Sequence, residues 1–79
     1  MRIDKYLKVS RIIKRRTIAA EACDGGRVSI NGKNAKPSAE VKPGDIIEIR
    51  FGSNTTKFRV ELISEHVTKD SAKEMFTII

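Results

Sequence analysis

Residues 2–13 alternate apolar and basic side chains at the spacing of an α-helix. At about 100° per residue, one face gathers apolar or small side chains and the opposite face gathers bases. The first face holds Ile3, Tyr6, Leu7 and Ser10, and the second holds Arg2, Lys5 and Lys8. Val9 and Ile12 do not fit this division, so the pattern predicts either a helix that ends near Ser10 or one that packs on two elements.

A second, shorter helix is predicted after the basic run at residues 14–16. Thr17 is the expected N-cap. Residues 18–24 are good helix formers, and their alanines imply close approach to a neighbouring helix. One residue of Gly25–Gly26 is expected to adopt the left-handed conformation that ends a helix. Cys23 lies among the alanines and is expected to be buried as a small apolar residue.

The second half of the chain changes to the period of two that strands show. Alternating runs predict strands at 27–30, 33–36, 46–51 and 57–63. Asn31-Gly32 is a strong signal for a two-residue hairpin turn, and Pro43-Gly44-Asp45 and Gly52-Ser53-Asn54 predict the next turns. Residues 71–75 favour one or two helical turns, and residues 76–79 form an apolar segment expected to dock on the fold. This order of elements, two helices and then strands, predicts an α+β domain.

The length of 79 residues allows one domain with a modest core. We assign residues 1–63 to that domain and residues 64–79 to a short C-terminal appendage, packed on it or trailing from it. A single cysteine excludes an intramolecular disulfide and a thiolate metal cluster, and it favours a reducing compartment. No apolar stretch of about 18 residues and no signal peptide is present, so we expect a cytoplasmic monomer without membrane contact.

The distribution of charge is more informative than the net charge of +6. Residues 1–16 hold seven bases and one acid, whereas the remaining 63 residues hold nine of each, so the whole net charge lies in the first segment. A polyanionic partner is the usual reason for such asymmetry. A solvated basic face is the alternative for a run of charges alone, and the helical periodicity of these bases favours the polyanion.

Arginines at the start of the second predicted helix favour phosphate binding. The free N–H groups and the dipole of a helix N-terminus attract anions, and arginine suits bidentate phosphate contact better than lysine does. We therefore rank Arg15 and Arg16 above the lysines. The alternatives are an ion pair of Arg16 with Asp24 or Glu21, and terminal disorder of Arg2.

The sequence contains no catalytic or metal-binding constellation. His66, the only histidine, is expected on the surface, and neither an enzyme nor a cofactor is expected. Tyr6 is expected to pack rather than stack, and the three phenylalanines alternate as core residues, which argues against stacking on single strands. A compact pair of basic helices suits structured RNA, read by its shape and phosphates, and no DNA binding is expected.

Four blocks of the sequence occur in order and with fitting gaps between residue 1 and about residue 51: RIDKYL at 2–7, KRRTIA at 14–19, GRVSINGK at 26–33 and VKPGDII at 41–47. They resemble the S-four (S4) RNA-binding domain, also called the αL motif. The resemblance implies two packed N-terminal helices followed by a small, twisted, mostly antiparallel sheet, with an RNA surface on the helices that the hairpin extends. The RNA-binding residues predicted from charge, periodicity and this resemblance are Arg2, Lys5, Lys8, Arg11, Lys14, Arg15, Arg16, Thr17, Lys33 and Lys36.

Among stand-alone members of this family, the chain is similar to short factors of bacterial ribosome-associated quality control. Heat-shock ribosome-binding proteins are relatives with a long basic C-terminal tail that these 79 residues lack. The similarity implies binding to a dissociated large ribosomal subunit that still holds peptidyl-tRNA. Contacts to ribosomal RNA and to the tRNA would steady the tRNA while an elongation partner adds alanine to the stalled chain.

Two alternatives to this function stay open at the level of sequence. One is a heat-shock-type or biogenesis factor that acts on free large subunits. The other is a protein-interaction module that docks a partner through residues 76–79 and binds RNA only incidentally.

Overall fold

The computed structural model describes residues 1–79 and consists of two helices and a five-stranded antiparallel sheet. The elements are α1 (Ile3–Val9), α2 (Arg16–Asp24), β1 (Val28–Ile30), β2 (Lys33–Asn34), β3 (Ile46–Phe51), β4 (Asn54–Val60), a 3₁₀ turn (Ser71–Met75) and β5 (Phe76–Ile78). The strand order is β2-β1-β3-β4-β5. The predicted α+β fold is confirmed, with β5 as an additional strand. Neither helix has the length and apolar character needed to cross a bilayer.

The face that α1 buries is the face that the sequence pattern predicts. Ile3, Tyr6 and Leu7 are completely inaccessible to solvent. The helix ends with Ser10 as its C-cap, and this residue is also buried. Val9, which fits neither predicted face, is half-buried at the margin of the core. The prediction of a helix that ends near Ser10 is therefore confirmed.

α2 begins one residue before the predicted N-cap. Arg16 is its first residue, and Arg15 occupies the N-cap with an extended backbone and no capping side chain. The prediction that Thr17 is the N-cap is wrong, because an N-cap needs a non-helical backbone and Thr17 already lies within the first turn. The other end follows the prediction: Gly26, with a φ of 72°, donates its N–H to the carbonyl of Cys23.

Small side chains bring α2 into the same core as α1. Ala19, Ala22 and Cys23 are buried in one cluster with the apolar face of α1. Burial, together with the nearby charges of Asp4 and Asp24, raises the pKa of the Cys23 thiol to about 11. The thiol is therefore protonated at neutral pH and serves as the small core residue that the sequence predicts.

The predicted hairpin turn joins β1 to β2. Asn31 and Gly32 have φ values of 51° and 85°, the left-handed pair that this turn requires. The Asn31 side chain also fixes the hairpin to the next strand, since its Oδ1 accepts the Ile46 N–H at 2.9 Å and its Nδ2 donates to Asp45 at 3.1 Å. Asn31 therefore determines both the conformation of the turn and the position of the hairpin beside β3.

β3 occupies the predicted residues, whereas β4 covers 54–60 instead of 57–63. The difference arises because Gly52–Ser53 is a two-residue turn, which lets Asn54 pair with Phe51 at once. After Val60 the chain leaves this ladder. The predicted boundaries of β4 are therefore wrong by three residues at each end.

The C-terminal segment adds the edge strand of the sheet and contacts α1. β5 pairs with β4, and the Phe76 ring packs edge-to-face on Phe58 with centroids 5.4 Å apart. Met75 is fully buried, and its carbonyl accepts the Tyr6 hydroxyl at 2.7 Å. Tyr6 therefore packs in the core, as predicted, and the apolar segment docks through strand pairing. The domain boundary at residue 63 stays a prediction.

Candidate RNA-binding face

The carboxylate of Asp4 joins the beginnings of the two helices. Asp4 is only 4% exposed, and its Oδ1 accepts the Lys5 N–H at 2.8 Å. Arg2, the N-cap residue of α1, donates from Nη2 to Oδ2 at 3.2 Å. Arg16, the first residue of α2, donates from Nη2 to Oδ1 at 3.3 Å. One buried acid thus brings two guanidinium groups together, and we call Arg2 and Arg16 the arginine pair.

The arginine pair remains available to an external ligand. The side chains of Arg2 and Arg16 are 50% and 46% exposed, and each donates one hydrogen bond to Asp4 and none to any other side chain. A guanidinium group has five N–H donors, so most of them stay free. The alternative ion pair of Arg16 with Asp24 or Glu21 is not observed, because Asp4 is the acid that Arg16 reaches.

The pKa of the Asp4 carboxyl is lowered from its ordinary value of 3.8. Burial by itself raises this pKa, but the hydrogen bonds from Arg16 and the Lys5 N–H and the charges of Arg16 and Arg2 outweigh burial. A lowered pKa means that the charged form stabilises the fold above pH 3.8. This stabilisation is lost as the pH falls through the pKa of the folded state.

We expect Asp4→Asn to lower the free energy of unfolding by about 1–3 kcal/mol at neutral pH, because hydrogen bonds to a charged group contribute about this much. The deficit should shrink as the pH falls below the ordinary pKa, since the wild-type carboxyl is then neutral as well. Urea denaturation across the acidic range measures both effects. Asp24→Asn, at an exposed acid without an ion pair, should change stability by less than about 0.5 kcal/mol. A deficit that does not vary with pH would argue against a role for the Asp4 charge.

Lys5, the central residue of the predicted basic face of α1, already forms an ion pair with an acid. The Lys5 Nζ lies 2.6 Å from Oε1 of Glu65, a residue that follows β4 in the sequence. The hydrogen bond and the charge of Lys5 lower the pKa of Glu65. Exposed ion pairs of this kind contribute little stability, so a phosphate can replace Glu65 at small cost. Lys8 has no such partner.

Four cations line a cleft of about 440 Å³ near the end of α1: Lys8, Arg11, Lys14 and Lys69. Val9 and Val67 are its only apolar lining residues, and no acid lines it. We call it the basic cleft. It brings three of the predicted residues together and adds Lys69, which sequence reasoning missed because the segment after β4 has no periodic pattern. A cluster of cations without acids favours a polyanion.

Arg11 has a φ of 65°, which is unusual for a residue other than glycine. The turn between the helices imposes this conformation, because the Arg11 N–H donates to the Lys8 carbonyl at 3.1 Å and the Ile13 N–H donates to the Leu7 carbonyl at 3.0 Å. A side chain in the left-handed region costs roughly 1–2 kcal/mol. Arg11 is thus a strained residue in the lining of the basic cleft.

We expect Arg11→Gly to raise the free energy of unfolding by about 1 kcal/mol, because glycine relieves the strain at some entropic cost. Arg11→Ala keeps the strain and should leave stability within about 0.5 kcal/mol of the wild type. Both variants lose the same charge and should lose RNA affinity by the same factor. Chemical denaturation and RNA titration test the pair. A glycine variant less stable than the alanine variant would contradict the assignment of strain.

The remaining predicted residues are exposed and form no ion pair within the chain. Arg15 and Thr17 flank Arg16 at the start of α2, where the first N–H groups lack helical acceptors and the first turn holds no acid. That end of α2 therefore favours an anion. Lys33 lies in β2, and Lys36 immediately precedes Pro37, whose carbonyl accepts the Asp4 N–H at 3.3 Å. The fold thus brings Lys36 near the start of α1, while no side-chain hydrogen bond or ion pair joins Lys33 to the helices.

Comparison with known proteins gives consistent matches over this chain. A family model described as the S4 domain matches residues 1–47. A protein of Listeria monocytogenes named RQC P-site tRNA stabilizing factor is 52% identical over 79 residues, which are 100% of this chain and 86% of that protein. The protein of the same name from Bacillus subtilis is 51% identical over 100% of this chain and 92% of its own length. The solved trimeric structure of Vibrio cholerae Heat Shock Protein 15 matches with a TM-score of 0.90 and 32% identity, covering 100% of this chain and 81% of that one.

Proposed function

The chain belongs to the S4 domain family, and from this premise we propose that it binds RNA of the large ribosomal subunit through the arginine pair and the basic cleft. The observation that carries the proposal is the arrangement of Arg2 and Arg16, both half exposed, on the buried carboxylate of Asp4. Arginine binds phosphate oxygens through parallel N–H donors. Because Asp4 already orients both side chains, less conformational entropy is lost when a phosphate binds.

The two parts of the proposed face have different places along α1. The arginine pair lies at the start of this helix, and the basic cleft lies near its end. Seven helical residues span about 10 Å, so the two groups of cations engage different phosphates instead of sharing one. A rigid spacing of this kind suits a structured RNA that is recognised by shape and backbone.

We extend the proposal to stalled translation on the strength of the similarity to RQC P-site tRNA stabilizing factors. The chain then binds dissociated large subunits that hold peptidyl-tRNA, with contacts to both ribosomal RNA and the tRNA. It steadies the tRNA while an elongation partner adds alanine to the stalled nascent chain. Its own contribution is binding in the cytoplasm, without a chemical step.

Sedimentation at one salt concentration tests this function. The chain is mixed with large subunits that hold peptidyl-tRNA, with vacant large subunits, and with intact ribosomes. The proposal predicts co-sedimentation chiefly with the first of these. If the chain sediments with none of the three, it is not a ribosome-binding factor.

The structural likeness to Vibrio cholerae Heat Shock Protein 15 supports a second candidate. In this alternative the chain is a heat-shock-type or biogenesis factor that acts on free large subunits. Equal binding to vacant and peptidyl-tRNA-bound subunits would favour this alternative over a function that depends on the tRNA.

A further inference from the structure

Phe51 is not a core residue, contrary to the sequence-based expectation. It is 50% exposed, because it is the last residue of β3 and its cross-strand partner is the polar Asn54. Ile18 of α2 is 46% exposed. Together with Ile13 and Ala22, these side chains line a cavity of about 230 Å³. The structure thus has an apolar cavity, open to solvent, with an aromatic ring in its lining.

Arg27 and Arg50 line this apolar cavity and also line a second, polar cavity of about 220 Å³. The Arg50 N–H donates to the Arg27 carbonyl at 2.9 Å, which holds the two residues side by side. Both side chains are exposed and neither has an ion-pair partner. Glu48, the one acid in the lining of the polar cavity, pairs with Lys57 at 3.4 Å. Arg27 and Arg50, which no acid neutralises, therefore lie at the border between the two cavities.

We propose that the two cavities bind one unpaired nucleotide of an RNA. The base stacks on Phe51 and contacts Ile18, and the ribose and phosphate occupy the polar cavity beside Arg27 and Arg50. This inference rests on the proposed RNA binding and adds a site for a single-stranded element. Every base has a face that can stack on an aromatic ring, and arginine adds cation–π and phosphate contacts.

Charge and position together distinguish a nucleotide from other occupants of this site. An apolar protein side chain would use the apolar cavity but would leave Arg27 and Arg50 without a partner. The site also lies at the end of α2 that carries Arg15 and Arg16, because Ile18 is in the first turn of this helix. An RNA backbone held at the start of α2 can therefore deliver its next unpaired base to the cavity.

Two RNA hairpins that differ by one bulged adenosine test the inference. Affinities are measured by fluorescence anisotropy at matched salt. Wild type should bind the bulged hairpin about tenfold more tightly than the fully paired one, given the usual strength of stacking on an aromatic side chain. Phe51→Ala should abolish this preference, and Phe51→Tyr should retain it because the ring remains. Ile78→Ala, at an exposed apolar residue of β5, is the matched control and should leave the preference unchanged.

The arginines provide a second arm of the same experiment. Arg27→Gln and Arg50→Gln should weaken binding of the bulged hairpin more than binding of the paired one. A preference that survives Phe51→Ala, or equal wild-type affinity for the two hairpins, would overturn the nucleotide site and leave the proposed face intact. Equal wild-type affinity for the two hairpins would point to a protein partner for the exposed apolar residues. If wild type binds neither hairpin, the proposed RNA binding itself fails.

Discussion

Replacement of both Arg2 and Arg16 by alanine is expected to weaken binding to large ribosomal subunits by about 100-fold. A hydrogen bond to a charged group contributes about 1.5–3 kcal/mol, and 1.4 kcal/mol corresponds to a factor of ten in affinity. We take the lower end for each residue because both guanidinium groups are half exposed. The slope of log affinity against log salt should also fall by about two, one for each phosphate that the variant no longer binds.

Two further variants separate the arginine pair from net charge and from folding. Lys57→Ala with Arg59→Ala also removes two positive charges, from exposed side chains of β4 that already pair with acids. This control should weaken binding by less than about threefold, as expected for screened surface charges. Arg2→Lys with Arg16→Lys keeps the charges beside Asp4 and should bind with intermediate affinity. If the Lys57 and Arg59 control weakens binding as much as the replacement of Arg2 and Arg16 by alanine does, total charge and not the arginine pair determines RNA binding.

Deletion of residues 76–79 is expected to lower the free energy of unfolding by about 3 kcal/mol or more. The deletion removes β5 from the edge of the sheet and the half-buried Phe76 from its position against Phe58. Removal of a buried phenylalanine side chain alone costs about 3–5 kcal/mol, and the half-buried position of Phe76 reduces this figure while the loss of strand pairing adds to it. Urea denaturation of the shortened chain measures the change.

A matched variant keeps β5 and alters only its exposed surface. Ile78→Ser with Ile79→Ser changes two side chains that are 64% and 53% exposed, and it should cost less than about 1 kcal/mol in total. If this folded variant binds large subunits but no longer supports alanine addition, residues 76–79 dock a protein partner, as the interaction-module alternative holds. A fully stable deletion variant would show that β5 is not needed for the fold.

The fold could be predicted wherever one local pattern determines an element. The buried face of α1 follows from helical periodicity alone, and Asn31-Gly32 specifies its hairpin through backbone conformation. β5 is different, because three residues are too few to show a period of two, and they become a strand only through pairing with β4. Phe51 continues the alternation of β3 but lies past the edge of the core, which alternation cannot reveal.

The basic residues of the candidate site could be predicted from the sequence, but their arrangement around Asp4 could not. A single acid within a strongly basic segment resembles an ordinary surface residue, so sequence reasoning gave Asp4 no role. Its position becomes meaningful only because Arg2 and Arg16 approach it from two different helices. The burial of Asp4 depends on the packing of those helices, which no local pattern encodes. That it is the only acid among the first 16 residues was the one available signal.

The affinity of Asp4→Asn for large subunits that hold peptidyl-tRNA tests most directly whether the organised arginine pair, and not charge alone, binds RNA. The substitution removes one negative charge and so raises the net charge from +6 to +7. If charge alone governs binding, the variant binds more tightly than the wild type. We predict binding about fivefold weaker at matched salt, because Arg2 and Arg16 lose the carboxylate that orients them and each side chain must then be ordered on binding. Unchanged or tighter binding would contradict the account.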